Sequence, residues 1–546
     1  MCDSPFIPDL FRSRLFHRRR PTPMIKLDQI SVVEILKGLK KGHFSSEGLV
    51  RTYIKRIEQV NSIVHVVSEI NQNAIKIARE KDKERSCGSA RGILHGVPVL
   101  IKNLLFTTDG LKTNFGCTGF LEAIPGIEAT AIIKLREQGA IILGIANGSQ
   151  WANLRFTPGW SAVGGQCIGI YHKNQHPQDS SSGSAVGTAL GLCAAALGSE
   201  TCGSLILPAQ KSAVVGIKPT VGLTSRYGLY SASEFQDTVG VLARTVEDAA
   251  LVLTAIAGED KNDPISILDP RDLISSKRPK VSCFSKACTS RQLDGVRMAI
   301  PRHLLKNVDS TTIHLFTDAI NTIKTLGAII IDPASYSKFN ADRSSCTGDE
   351  YDLALRVDIY HNIEKTLSHF STNPHSLHTL SDVISYTIAT PTEEASTRGY
   401  SYFESCLRAG KTYSRGSEEY KHSKAERDYM GKQIPKLLDK FGCDMIVLPT
   451  NLAMEPADVG GNPVVSVPMG FYPMGMEVSR RNDLVDCGPG IPVGICFIGR
   501  RWDDEKLIRA AYAYEQATKW REKGKVVVKC DVELPVSRCE EKGGKN

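Results

Sequence analysis

Apolar residues recur at helical spacing early in the chain and then give way to short continuous runs. Val32, Ile35, Leu36 and Leu39, and then Leu49, Tyr53, Ile54 and Ile57, fall three or four apart, which predicts helices across residues 30–62. Ser45-Ser46-Glu47 supplies a cap for the second of them. GVPVLIK (96–102) is flanked by Gly and Pro and rich in β-branched residues, so it predicts a buried strand. ATAIIKLREQ (129–138) returns to the helical period, and AIILGIA (140–146) reads as the next strand. That rhythm predicts an α/β sheet with helices on its faces.

Over residues 158–184 the hydrophobic period vanishes and Gly, Ser, Gln and Asn dominate. AVGTALGLCAAALG (185–198) is apolar on every side and built of small residues, which predicts a helix buried all round. CDMIVLPT (443–450), NPVVSVPMG (462–470) and IPVGICFIG (491–499) predict strands, and Leu507 to Trp520 a closing helix. Residues 260–440 are more polar and carry the longest helical patterns, as a variable peripheral layer would. The expected organisation is a basic tail at 1–28, one domain at 29–525 with its catalytic core at 90–255 and 440–525, and a C-terminal tail at 526–546.

Composition narrows the function classes. A chain of 546 residues with 41% hydrophobic and 23% charged content fits a soluble globular protein with a large core. The net charge of +8 is dilute, and its one dense cluster, Arg12, Arg14, His17, Arg18, Arg19 and Arg20, is expected as a solvated tail. No basic face interleaved with aromatics argues for nucleic acid. The fifteen cysteines are scattered and odd in number, without a C-x-x-C pair, which predicts reduced thiols and a cytoplasmic location. PFIPDLF is too short and interrupted for a signal-peptide core, and no run reaches the ~20 residues of a membrane span.

The chemistry concentrates in DSSSGSAVGTALGLCAAALGSETCGS (179–204), where two Ser/Gly loops flank the apolar run. Such loops and a helix N-terminus gather unpaired N–H groups that stabilise an oxyanion. Serine attacks only when a base removes its proton, and lysine is that base only when neutral. Lys102 follows VPVLI directly, so its amine is delivered into the interior, where desolvation favours the neutral form. RAGKT (408–412) lacks the first glycine of a P-loop and follows no strand. His172 and His176 lie four apart in a loop with no adjacent glutamate, so no metal site is expected, and there is no G-x-S-x-G elbow.

GVPVLIK, GWSAVGGQ (159–166), DSSSGSA, GSETCGS, ILPAQKSAVVGIKPTVGLTSRYGL (206–229), QDTVGVLARTVEDAALVL (236–253) and the closing IPVGICFIGRRWDDEKLIRAAYAYEQAT together resemble the amidase-signature family, most closely its fungal branch, over residues 28–525. The resemblance implies a single α/β/α domain with a central mixed sheet, amide hydrolysis, and no cofactor or metal. It implies Ser204 as nucleophile, Ser180 as a bridging serine after a cis peptide bond, and Lys102 as base, with Ser181 the alternative to Ser180. The N–H groups of Thr201, Cys202 and Gly203, with that of Ser204, would form the oxyanion hole. Asn103 and Asp179 depart from the family's usual Asp and Gly, and Asp179 would hold Lys102 protonated. The expected partner is a small-molecule amide, with a homodimer left open. A transamidase subunit passing ammonia to a partner, or a non-catalytic binding protein, are the alternatives.

Overall fold

Eleven strands assemble into one mixed sheet, and most of them arise from the apolar runs above. The computed structural model describes residues 24–267, 283–337 and 349–536; the basic cluster at residues 12–20 lies outside them. In chain order the strands are β1 (Val67–Ile70), β2 (Pro98–Lys102), β3 (Ile141–Ala146), β4 (Ala195–Glu200), β5 (Val215–Lys218), β6 (Thr238–Ala243), β7 (Arg297–Pro301), β8 (Ile329–Ala334), β9 (Met445–Pro449), β10 (Val464–Phe471) and β11 (Pro492–Ile498). Across the sheet they run β8-β7-β9-β11-β10-β5-β6-β4-β2-β3-β1. β2 pairs in parallel with β3 and β4, whereas β4, β6, β5, β10, β11 and β9 form an antiparallel series. β2 to β6 are buried along their whole length, which is why they read as continuous apolar runs without alternation.

Helices flank this sheet. Ser46–Val64 (α1) starts as its sequence requires: Ser45 Oγ accepts the Gly48 N–H at 3.0 Å, and Leu49, Tyr53, Ile57 and Val60 bury one face. Each such aliphatic or aromatic side chain taken out of water stabilises the fold by roughly 1.5–3 kcal/mol. One apolar core extends from Leu27 to Leu534, and a small separate cluster of Ala354, Val357, Ala409 and Tyr420 lies in the peripheral layer.

The run 185–198, expected as one helix, is divided. Ser182–Ala189 (α2) is helical, the chain reverses at Gly191, and β4 follows. Gly191 has φ 64°, and an added Cβ would lie 2.5 Å from the backbone of Leu27 and Asp28, so only glycine makes this reversal. An all-apolar segment carries no period, and nothing in its pattern separates buried helix from buried strand. The reversal matters for the site, because β4 returns beside α2 and brings residues 199–204 to the serine-rich N-terminal end.

Three arginines, Arg56 and Arg244 buried and Arg521 half-buried, hold the other end of α2. Arg56 donates to the carbonyls of Leu190 and Gly191 at 2.7 and 2.8 Å, Arg244 to those of Thr188 and Cys193 at 3.1 and 2.8 Å, and Arg521 to that of Ala189 at 3.3 Å. They satisfy carbonyls a helix terminus leaves unpaired and place positive charge at the negative end of its dipole. Met24–Ile25 pairs antiparallel with Leu534–Pro535, and Arg56 also donates to Val532, so the packed chain continues past position 525.

Candidate active site

Lys102 ends β2, where the strand delivers it fully buried to the tip of the Ser loop. Its Nζ donates to Ser180 Oγ at 2.7 Å, Ser181 Oγ at 2.9 Å and the Ser199 carbonyl at 3.1 Å. Burial drives this amine down from 10.5 to about 7, while Asp179, Glu200 and Asp237 pull it upward. Desolvation therefore outweighs the carboxylates, and the expectation that Asp179 would keep Lys102 protonated gives way to an amine poised near neutrality.

Ser204 sits on the turn after β4, and its backbone is tied to the Ser loop by the Ser181 N–H, 3.1 Å from the Ser204 carbonyl. Its hydroxyl donates to Asp179 Oδ1 at 2.8 Å. Asp179 is pushed up to about 6 by burial, opposed by the Ser204 hydrogen bond and by Lys102. The peptide bond between Asp179 and Ser180 is trans, in place of the expected cis bond. The chain turns instead through two left-handed residues, Gln178 at φ 55° and Asp179 at φ 41°.

The turn itself is heavily anchored. Gly203 has φ 74°, and a Cβ there would meet Leu207 at 2.7 Å and Met454 Sδ at 2.8 Å. The N–H groups of Thr201, Gly203 and Ser204 have no acceptor among the described residues. Glu200 Oε2 accepts the N–H groups of Leu205 and Ile206 at 2.6 and 3.1 Å. Thr201 Oγ1 donates to Asp237 Oδ1 at 2.5 Å, and Asp237 also accepts Ser231 Oγ and the Ser233 N–H. Gln236 Nε2 donates to the Thr201 carbonyl at 3.1 Å.

The structure thus gathers Lys102, Ser180, Ser181 and Ser204 with the 201–204 turn. It does not pair Ser204 with Ser180. The supporting Glu200, Gln236 and Asp237 were not singled out from the sequence, although Gln236 and Asp237 open the block QDTVG that carried the resemblance. RAGKT lies within the helix Ser401–Thr412, and His176 is buried with its Nδ1 accepting the Gln178 N–H. Among the described residues no group of three or more His, Cys, Asp or Glu is placed to hold a metal ion. No helix among them is long and apolar enough to cross a membrane.

The sequence matches the amidase family profile over residues 48–508. It is 39% identical over 524 residues to a presumed amidase of Arthroderma benhamiae, covering 91% of this chain and 87% of that one. It is 27% identical over 522 residues to a glutamyl-tRNA(Gln) amidotransferase subunit of Thermoanaerobacter pseudethanolicus, covering 92% and 99%. The X-ray structure of the native peptide amidase from Stenotrophomonas maltophilia superposes with a TM-score of 0.77 at 31% identity, covering 92% of this chain and 99% of that one. With a sheet, a buried lysine and a serine turn of this kind, the chain belongs to the amidase family.

Proposed function

We propose that this amidase, a hydrolase acting on amides, cleaves the C–N bond of a non-peptide-bond carboxamide through an acyl-enzyme on Ser204. The observation that carries the reading is the buried Lys102 amine, 2.7 Å from Ser180 Oγ and beside a turn with unengaged N–H groups. In the proposed sequence Ser204 Oγ attacks the amide carbon as its proton passes to Ser180 Oγ, whose own proton passes to neutral Lys102. The oxyanion is received by the N–H groups of the 201–204 turn. Lys102 returns the proton through Ser180 to the leaving nitrogen, the C–N bond breaks, and ammonia or an amine departs. Water then attacks the acyl ester by the same route, and no cofactor or metal takes part.

For this route the Ser204 hydroxyl must swing from Asp179 to Ser180, so Asp179 competes with the relay for the nucleophile. That competition supports a second reading, an amidase-fold protein whose nucleophile is held silent. The likeness to an amidotransferase component supports a third, in which ammonia is passed to a partner protein. A fluorophosphonate probe separates them. Covalent labelling of the native chain at Ser204, lost in Ser204→Ala with folding intact, and release of free ammonia or amine from a panel of amides are the expected results. Labelling that persists in Ser204→Ala moves the nucleophile to Ser180 or Ser181, and ammonia release only with a co-purified partner favours the transamidase. The twelve described cysteines, scattered and without a disulfide among them, support a reducing, cytoplasmic compartment.

A further inference from the structure

A polar bridge joins the peripheral helices to the turn that carries the nucleophile. Asp349–Leu367 (α3) contributes Asp352, and Glu418–Gly431 (α4) contributes Arg427. Arg427 NH1 contacts Asp352 Oδ1 at 3.3 Å, and its NH2 donates to Gln236 Oε1. Gln236 Nε2 then donates to the Thr201 carbonyl at 3.1 Å. All three side chains are buried, at 2% exposure for Asp352, 6% for Arg427 and 3% for Gln236. Tyr402, Arg356 and Glu455 also face Asp352, and the Ala354 N–H donates to Ser423 Oγ at 3.0 Å, fastening α3 to α4 beside the bridge.

The chemistry of the links gives the bridge a direction. A guanidinium donates and never accepts, so Arg427 can meet only the oxygen of the Gln236 amide. That fixes the amide with its NH2 toward Thr201. A donor placed there holds the Thr201 carbonyl, and in a planar trans peptide the N–H of the next residue points the opposite way. The Thr201–Cys202 peptide is therefore locked in one orientation, its hydroxyl side held separately by Asp237. We propose that Gln236, oriented by Arg427 and Asp352, is a positioning residue that holds the 201–204 turn so that its Thr201, Gly203 and Ser204 N–H groups face the developing oxyanion. The peripheral layer would then tune the reaction rate without touching substrate. This rests on Ser204 as the nucleophile with the 201–204 turn as its oxyanion hole.

The test uses the full chain and a fluorophosphonate, whose phosphoryl oxygen occupies the oxyanion position when Ser204 is labelled. Gln236→Met keeps the size of the side chain and removes both hydrogen bonds. Its labelling rate should fall about 10–100-fold, somewhat below the loss for deleting an oxyanion donor outright. With the best amide from the panel, kcat should fall by the same factor while KM changes less than about twofold, the signature of an interaction made only in the transition state. Arg427→Met should show the same split, and the double variant should lose little more than either single one. If Arg427→Met does not fold, Gln236→Glu replaces it. That variant presents an acceptor to the Thr201 carbonyl and should lose at least as much as Gln236→Met. Native labelling rates in both Gln236 variants, or a loss confined to KM, overturn the proposal. Labelling that survives Ser204→Ala instead overturns the reading on which it rests.

Discussion

Replacing Asp179 by glycine tests the proton route most sharply, because this carboxylate touches both ends of it. The fall of the Lys102 amine from 10.5 to about 7 corresponds to about 5 kcal/mol of preference for the neutral form. Asp179 is the first of the carboxylates opposing that preference, and a nearby opposite charge typically raises a base by about 1–3 pH units. Its removal should therefore lower Lys102 further. Since only the neutral amine accepts the Ser180 proton, activity rises with pH through the lysine's titration and flattens above it. The rising limb of kcat/KM should lie near pH 7 in the native chain. In Asp179→Gly it should move down by about one to two pH units. The plateau should respond as well. A hydrogen bond to a charged group contributes about 1.5–3 kcal/mol, and the native Ser204 must give up its 2.8 Å bond to Asp179 before it can use the relay. Releasing it should raise the plateau about 10–100-fold if that full amount opposes turnover. The measurement is kcat/KM against pH for the native chain, Asp179→Gly and Lys102→Ala, in buffers of constant ionic strength. Lys102→Ala should lose more than the ~10²–10⁴-fold typical of acid–base assistance. An unmoved limb in Asp179→Gly together with a near-native rate in Lys102→Ala would remove the lysine from the mechanism. Loss of activity in Asp179→Gly alone would instead make the carboxylate the base.

Other positions give independent checks. Gly203→Ala forces a side chain into φ 74° against Leu207 and Met454; it should cost at least about 1–2 kcal/mol and displace Ser204, so both the denaturation midpoint and probe labelling should fall. Glu393 is fully buried, accepts from Thr118 and Gln150, and faces Arg155 at 3.5 Å. Glu393→Gln leaves the guanidinium uncompensated and should destabilise by about 3–5 kcal/mol in urea, with the probe chemistry intact at low temperature. None of the twelve described cysteines is in a disulfide, and thiol titration of the unreduced, denatured chain should count fifteen. A lower count indicates disulfides and argues against a reducing compartment.

The sequence exposed the site where local pattern and chemistry coincide. Lys102 was visible because a charged residue closes a wholly apolar strand, and Ser180 and Ser204 because two Ser/Gly loops bracket an apolar run. Their convergence came from the family resemblance and not from spacing, since Lys102 and Ser180 are 78 residues apart. Three features were not legible. The run 185–198 hid a reversal, because small apolar residues satisfy helix and strand alike and only contact with Leu27 and Asp28 demands glycine at 191. The hydrogen bond from Ser204 to Asp179 depends on left-handed backbone at Gln178 and Asp179, which neither residue's type announces. Arg427 was equally hidden, since its role depends on a partner 191 residues away in a layer whose charges follow no fixed spacing.

The arginine cluster behind α2 bears on how the enzyme comes into being as it is synthesised. Arg56 is made before the helix it holds, Arg244 shortly after it, and Arg521 only 332 residues beyond the Ala189 carbonyl that it meets. An emerging chain that has just passed Ser204 already contains Lys102 and Ser180 but still lacks two of the three guanidiniums at the end of α2, and it lacks β10 and β11 of the sheet. Residues so distant in sequence meet late, at the cost of closing long loops. Hydrolytic competence should thus arrive late in folding, and a chain stopped before Arg521 would carry the candidate site residues without a finished site around them.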